Sequence, residues 1–486
     1  MQSLNKYTLP TALTKTNSSI DAFYDRDNVK AGIVHFGVGN FHRCHQAVYA
    51  HKLLAAGHLD WGIVGVSMRS SKIRDLLAPQ NFLYTEVTLS KNTKFRVIGS
   101  ILKILVAPEN PAAVINQVAD NSIKLVTTTI TEKGYCLALG EIDYSHPNVI
   151  ADTASLENPK TIYGYLAAAL IQRSGHGSTP LSILCCDNIQ GGGEKLRAGV
   201  QFLLQQHTPV HIDWVKENVS FGSSMVDRVS PESSEPLKQL VSSTLGLIDA
   251  WPVSAEPFSQ WVIEDNFAGV RPDFESVGAL FTDDVSLYEQ MKLRFLNAGH
   301  SMISILGYLD HQPTIHGALE QQGILDFAFK ALYENILPVA VIPPNYRGEN
   351  YIKDVMQRFQ NSALPYTVAQ VNTDSSQKIQ QRWFQTIDDA LAHNSDTALM
   401  SFIVAAWVIY IQKSLDADEL NDPLRDEFYN AHQQNKNPVT PFLLIAGADR
   451  FNFSDSVPFM AAVLDDYRTL KKSQINTALS QFLSHH

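Results

Sequence analysis

The stretch GIVHFGVGNFHRCHQ, Gly32 to Gln46, decides how the rest of the chain is read. A short apolar run leads into Gly37 and Gly39, the spacing that opens a dinucleotide-binding turn. The first glycine permits a tight turn out of a strand, and the second lets the backbone approach a pyrophosphate. The helix after the turn then offers unpaired N–H groups to the anion. The third glycine of that fingerprint would fall at position 42, where this chain has His42. That glycine serves helix–strand packing, so its replacement predicts a wider separation there, not a lost site. A glycine pair alone is a weak signal, and its place after a strand and before a helical pattern strengthens it. Arg43 is a candidate to face a phosphate. His42, Cys44 and His45 have the types of metal ligands, but no Cys or His pair of matching spacing lies elsewhere, so no metal is expected.

Around this turn the N-terminal part alternates short β-branched runs with helical patterns, the mark of a parallel sheet covered by helices. Expected strands are Gly32–Phe36, Trp61–Ser67, Phe95–Ile98, Leu125–Thr131 and Leu181–Cys186, with helical spacing in Gln46–Ala56 and Pro111–Val118. From about Tyr288 three- and four-residue apolar spacing takes over, in Tyr288–Leu309, Gly323–Ile336, Tyr351–Phe359, Ala398–Ser414 and Pro458–Leu483. The fold class expected is therefore α/β. A Rossmann-type dinucleotide-binding domain spans residues 1–285, and a mainly α-helical substrate and catalytic domain spans 286–486.

Composition limits the partners. The chain has 486 residues, 45% hydrophobic and 18% charged, which describes a globular protein of more than one domain. A formal charge of -11 opposes nucleic-acid or anionic-membrane binding, while leaving room for a local phosphate pocket. Four scattered cysteines make no disulfide framework and fit a reducing cytoplasm. The N-terminal residues show no apolar signal-peptide core, and FIVAAWVIYI (Phe402 to Ile411) is about half a membrane span, so it reads as a buried helix. A small molecule is the partner these features leave; they say nothing of oligomeric state.

In an NAD site an acidic residue ends the second strand and binds the ribose hydroxyls. Asp60 lies at about the right distance but precedes the strand. Beyond the strand comes Met68-Arg69-Ser70-Ser71-Lys72, with no acid. Arg69, Ser70 and Lys72 suit a 2′-phosphate, so NADP is expected to be accepted alongside NAD; a plain solvated turn is the simpler alternative.

A second set of polar residues interrupts YEQMKLRFLNAGHSMISILGYL, Tyr288 to Leu309. On an unbroken α-helix Lys292 and His300 lie roughly 80° apart, with Glu289 between them and Asn297 about 60° beyond His300. All four then share one broad face. A lysine beside a histidine suits proton exchange with a substrate hydroxyl, and an amide suits its oxygen. A lysine on a long helix is more commonly a solvated surface group. Elsewhere, LCCDN sets Asp187 and Asn188 at the carboxyl end of a strand, where ligands bind in open α/β sheets. The Asp227-Arg228 pair has the alternative of an ordinary ion pair.

Together these pieces resemble the polyol-specific long-chain dehydrogenases, a family that includes mannitol 2-dehydrogenases and fructuronate (mannonate) oxidoreductases. GVGNFHRCHQ is similar to that family's GxGxFHRxHQ, so Asn40, Phe41, His42 and Arg43 belong to its form of the nucleotide turn. The resemblance continues through TITEKGY (Thr129–Tyr135), CDN (Cys186–Asn188), VSFGSSMVDRVSP (Val219–Pro231), EPFSQWVIEDNF (Glu256–Phe267), KLRFLNAGH (Lys292–His300) and DSSQK (Asp374–Lys378), nearly the whole chain in order. It implies reversible, metal-independent hydride transfer between a nicotinamide and a secondary alcohol. It also implies roles: Lys292 as the proton-exchanging base, Asn188 and Asn297 as oxyanion stabilisers, His300 as the residue orienting substrate and lysine, and Asp227 and Glu289 as acids near the lysine. Uronate reducers of the family carry a basic cluster before the DGSQK block; here Pro365, Tyr366 and Thr367 stand there, which favours mannitol and fructose over a ketouronate. Two departures are the missing acid after the second strand and Gln370, where some mannitol enzymes have arginine. The alternatives are a fructuronate or tagaturonate reductase and a nucleotide-sensing relative without turnover, the latter opposed by the intact Asn188, Lys292, Asn297 and His300.

Overall fold

Ala31–Phe36 (β1) is buried at nearly every position, the pattern of a strand covered on both faces. The computed structural model describes residues 1–15, 24–138, 140–175, 179–364, 366–434 and 437–485, and divides into Met1–Ser286 and Leu287–His486. In the first unit β1 is joined by β2 (Gly62–Ser67), β3 (Ile101–Val106), β4 (Leu125–Thr128), β5 (Leu181–Cys185) and β6 (Val219–Asp227), all parallel, in the order β3-β2-β1-β4-β5-β6. This is the strand order of dinucleotide-binding sheets, in which the chain reverses direction across the sheet after β3. Two more strands extend it, β7 (Gln260–Glu264), antiparallel to β6, and β8 (Leu280–Thr282), parallel to β7.

Consecutive strand residues enter opposite cores. Val34, Val64, Val126 and Ile183 pack with the helices Pro111–Ala119, Ile162–Ser174 and Gly192–His207. Ile33, Ile63, Leu125 and Leu184 pack on the other side with the helix that follows the glycine turn. The sheet is thus covered on both faces, and the period of two in its strands is what builds two cores from one layer.

The expected strands require two corrections. Phe95–Ile98 is a strand, Lys94–Ile98, but not of the parallel sheet: it pairs with Tyr84–Thr88 in a separate three-stranded sheet completed by Val253–Ala255. The third parallel strand is β3, ILKILV. It is an edge strand with Lys103 exposed, so its apolar signal is diluted. The strand expected over Leu125–Thr131 stops at Thr128, because the backbone N–H groups of Ile130 and Thr131 leave the sheet to bond the Asp187 carboxylate.

The second unit is helical around one large core. Its central helix, Ala398–Asp416, has 19 residues and meets the length and apolarity of a membrane span, yet 89% of its most apolar window is buried within the unit. Pro458–Leu483 is two helices, Val457–Lys472 and Ile475–His485, broken at Ser473. Among the described residues three segments are π-helical: Leu293–Asn297, Ala331–Ile336 and Gln380–Phe384.

Candidate functional site

β1 delivers the chain into the glycine turn. Gly37 stands at φ +101°, and a Cβ there would lie 2.0 Å from the Thr129 carbonyl oxygen, so only glycine fits. Gly39 differs: it is exposed, and a Cβ would meet nothing within 4 Å. It caps the short helix α1 (Asn40–Cys44), whose first N–H groups lie beside that open space. The turn therefore fits a dinucleotide pyrophosphate approaching its backbone.

The position of the third glycine is filled by stacking. His42 is fully buried and lies on His35 of β1, ring centroids 3.4 Å apart and planes 15° from parallel. His35 in turn sits 2.7 Å from the Thr127 hydroxyl, 2.8 Å from that of Thr129 and 3.1 Å from the Gly37 carbonyl oxygen. Burial pushes His35 down to about 3 and His42 well below the ordinary histidine range, so both rings are neutral at neutral pH. The His42 ring packs on His35, and both of its nitrogens are buried without a hydrogen-bond partner.

Arg43 corrects the sequence reading. It is fully buried, donating to the Trp251 carbonyl at 2.5 Å and to the Asn40 side-chain oxygen at 2.6 Å, with its guanidinium over the Tyr84 ring. It faces the core, not a phosphate. Through that bond it fixes the Asn40 side chain at the head of α1. Phe41 stacks on His45, the His45 ring meets the Gln260 carbonyl, and the Cys44 thiol donates to the Phe41 carbonyl. Among the described residues no group of three His, Cys, Asp or Glu side chains is arranged for a metal ion.

At the carboxyl end of β2, Ser67 bonds the Ser70 carbonyl, leaving Arg69 and Ser70 exposed in the turn. Helix α2 (Lys72–Leu77) comes next, with Lys72 over the Trp251 ring and Arg74 held by Asp75 and Glu109. Asp60 lies at the opposite end of the strand, paired with Lys30 at 3.6 Å. Past β5, Asp187 accepts from Ile130 and Thr131 and, at 2.6 Å, from the Tyr135 hydroxyl. It anchors the TITEKGY loop and leaves its neighbour Asn188 exposed at the carboxyl edge of the sheet. Asp227 ends β6 with its side chain buried. Arg228 pairs with Glu86 at 2.7 Å and donates to the carbonyls of Cys44 and Glu256. Glu86 was invisible in the sequence, since nothing marks a single buried acid in an unremarkable strand.

In the second unit Lys292 ends α3 (Ser286–Lys292), and α4 (Ala298–Leu309) carries His300. Between them the helix is π: the Ala298 N–H reaches back five residues to the Leu293 carbonyl. An unbroken α-helix would set Asn297 roughly 140° and His300 roughly 80° from Lys292. The extra residue removes one step of about 100°, which brings them to about 40° and about 20° from the lysine. The broad face expected from spacing becomes a narrow stripe.

Lys292 and His300 are buried, Glu289 and Asn297 half-buried, and the Asn297 Oδ1 is buried without a hydrogen-bond partner. An unsatisfied buried amide oxygen has the capacity to accept a hydrogen bond from a ligand hydroxyl. The His300 ring packs on Phe359 (4.3 Å) and edge-on to Tyr366 (5.2 Å). Burial, reinforced by the charges of Arg358, Arg382 and Lys378, holds it well below the ordinary histidine range and hence neutral. Gln370 is engaged in a capping box with Thr367, so its side chain is committed to a helix end. Pro365 lies outside the described residues.

Residues 31–276 match the family model for the mannitol dehydrogenase Rossmann domain, and residues 284–471 that for the mannitol dehydrogenase C-terminal domain. The solved ternary complex of Pseudomonas fluorescens mannitol 2-dehydrogenase with NAD and D-mannitol superposes with a TM-score of 0.87 at 33% identity, covering 99% of this chain and 100% of that one. The D-mannonate oxidoreductase of Escherichia coli is 33% identical over 92% of this chain and 94% of its own. The polyol:NADP oxidoreductase of Gluconobacter oxydans is 35% identical over 79% of this chain and 81% of its own.

Proposed function

The chain belongs to the mannitol dehydrogenase family, and on that premise we propose that it is a metal-independent mannitol 2-dehydrogenase interconverting mannitol and fructose with NAD(P)(H). The observation that carries this reading is the stripe of Lys292, Asn297 and His300, in which the unpartnered Asn297 Oδ1 is placed to accept from a substrate hydroxyl while the amide nitrogen donates to the reacting oxygen. Residues 1–285 are assigned to the nucleotide and 286–486 to the substrate. The Gly37–Gly39 turn and the first turn of α1 would hold NAD(P), which would supply or accept the hydride at its nicotinamide.

The rest is done by side chains. In polyol oxidation Lys292 takes the proton of the reacting hydroxyl; in ketose reduction it returns it. Asn297 donates through its amide nitrogen to that oxygen as negative charge develops there, an electrostatic role worth about 3–4 kcal/mol per donor in comparable sites; the family resemblance assigns Asn188 the same kind of role. Neutral His300 orients the substrate hydroxyl and the amine without competing for the proton. Glu289, on the lysine's own helix, passes the proton between lysine and solvent, and Asp227 is the second acid that the family resemblance assigns to the proton's route.

Acceptance of NADP is inferred from the turn after β2, where Arg69 and Ser70 are exposed and Met68 to Lys72 hold no acid. The relation to a polyol:NADP oxidoreductase agrees with it. A ketouronate substrate is the second reading, favoured by the relation to a D-mannonate oxidoreductase and opposed by the lack of basic residues at 365–367. We place the enzyme in a reducing cytoplasm, in keeping with four buried cysteine thiols.

The experiment is a reduction panel of fructose, fructuronate, tagaturonate and xylulose, each with NADH and NADPH. Fructose is expected to give the highest kcat/KM and NADPH to support turnover. Lys292→Ala should bind nucleotide normally while kcat falls by roughly 100-fold or more. A fructuronate preference would move the chain to the second reading, and near-normal turnover of the variant would remove the lysine from the chemistry.

A further inference from the structure

Two π-helical segments of the second unit, Leu293–Asn297 and Gln380–Phe384, pack against each other. A π turn diverts N–H groups from the carbonyls they would meet in an α-helix, so carbonyls around it need donors from elsewhere. Adjacent residues of the second segment donate, in addition, to the two carbonyls at the start of the helix that follows the first π turn. Arg382 Nη1 donates to the Asn297 carbonyl at 3.3 Å, and Trp383 Nε1 donates to the Ala298 carbonyl at 3.4 Å. The same Arg382 nitrogen donates to the Ser301 hydroxyl at 2.6 Å. Asn297 and Ser301 bracket His300 within little more than one turn, so one guanidinium nitrogen spans the turn that carries both polar groups of the stripe. The Asn297 side-chain oxygen is left unpartnered, which keeps the amide available to a ligand while its backbone is held.

We propose that Arg382 is a positioning residue: by clamping the Asn297 carbonyl and the Ser301 hydroxyl it keeps the π turn wound so that Asn297 and His300 stay in line with Lys292. This rests on the reading of those three residues as the group that handles the substrate oxygen. Without the clamp the segment can relax toward ordinary α-helical winding, which swings Asn297 away from the lysine by about 100°. Substrate still enters, but its oxygen is poorly held as charge develops. Arg382 touches neither substrate nor nucleotide in this account.

The test is Arg382→Ala in the full-length enzyme. Nucleotide affinity and thermal midpoint are expected to stay near those of the parent, KM for fructose to move less than threefold, and kcat to fall roughly 10- to 100-fold. Guanidinium chloride at non-denaturing concentration should restore part of kcat in Arg382→Ala and none in the parent, and Arg382→Lys should fall between the two. Amide hydrogen exchange over residues 293–303 should quicken in Arg382→Ala, a readout that does not depend on knowing the substrate. Should Arg382→Ala fail to fold, Ser301→Ala removes one half of the clamp and is expected to lower kcat several-fold with nucleotide affinity unchanged. A kcat within threefold of the parent, a loss that tracks a lowered melting point without guanidinium rescue, or unchanged exchange in that segment would overturn the proposal. Unchanged turnover in Lys292→Ala would instead strike the reading of the stripe, with the exchange measurement still judging the clamp.

Discussion

Arg228 and Glu86, 142 positions apart in sequence, meet at 2.7 Å with both side chains buried. Arg96 lies 3.8 Å from the other oxygen of the same carboxylate. Through Arg228 this one acid links the end of β6, the Cys44 carbonyl behind the glycine turn and the small three-stranded sheet.

Removing one partner of such a pair leaves an uncompensated buried charge. Glu86→Ala is therefore expected to destabilise the first unit by about 3–5 kcal/mol, whereas Glu86→Leu combined with Arg228→Met should recover part of that loss. Urea unfolding of the parent, Glu86→Ala, Glu86→Leu, Arg228→Met and the double variant, followed by release of bound nucleotide, checks this. A double variant as unstable as the sum of the singles would show that the pair is not coupled.

The two glycines of the turn should fail differently. Gly37→Ala forces an L side chain into φ +101° and drives its Cβ into the Thr129 carbonyl, so both fold stability and nucleotide binding should collapse. Gly39→Ala meets nothing in the protein, so melting should barely change. Its methyl would instead occupy the space of the pyrophosphate, costing about 1–3 kcal/mol, or roughly 5- to 150-fold in Kd. Nucleotide titration beside a thermal melt separates the two. Equal loss of melting temperature in both variants would contradict an open cradle at Gly39.

The legible and the hidden parts of the fold have the same physical origin. The β1 strand and its turn were legible because an apolar run, a forced glycine and a helix start are local signals. The β3 edge strand was not, because one exposed lysine interrupts the apolar run of ILKILV. Lys292, Asn297 and His300 were recognisable as residue types, but their alignment was not, since a π turn changes helical phase without changing composition. Arg43 misled because an arginine beside a phosphate turn reads the same whether it points outward or, as here, into a core that meets its donors with a carbonyl and an amide. Pairings such as Arg228 with Glu86 depend on the tertiary fold, and no spacing announces them.

Acid should weaken the first unit through histidines that fold neutral. His35 beneath the nucleotide turn and His51 beside Tyr24 are both fully buried and held down to about 3, with burial the largest cause. Below about pH 6.5 the unfolded chain binds protons at these positions that the folded chain refuses, so stability falls as pH drops from about 6.5 toward 3. Each ring contributes up to about 1.4 kcal/mol per pH unit in that window, and nothing from this source is lost above it. Urea midpoints at pH 7.5 and 5.5 should therefore decline more steeply for the parent than for His35→Gln, whatever the variant's absolute stability. Because His35 also braces the Gly37 carbonyl, nucleotide affinity of that variant should fall even at pH 7.5. Parallel pH slopes in the two proteins would mean that the stacked pair takes up its proton while still folded, and the neutral packing of His42 on β1 would have to be abandoned.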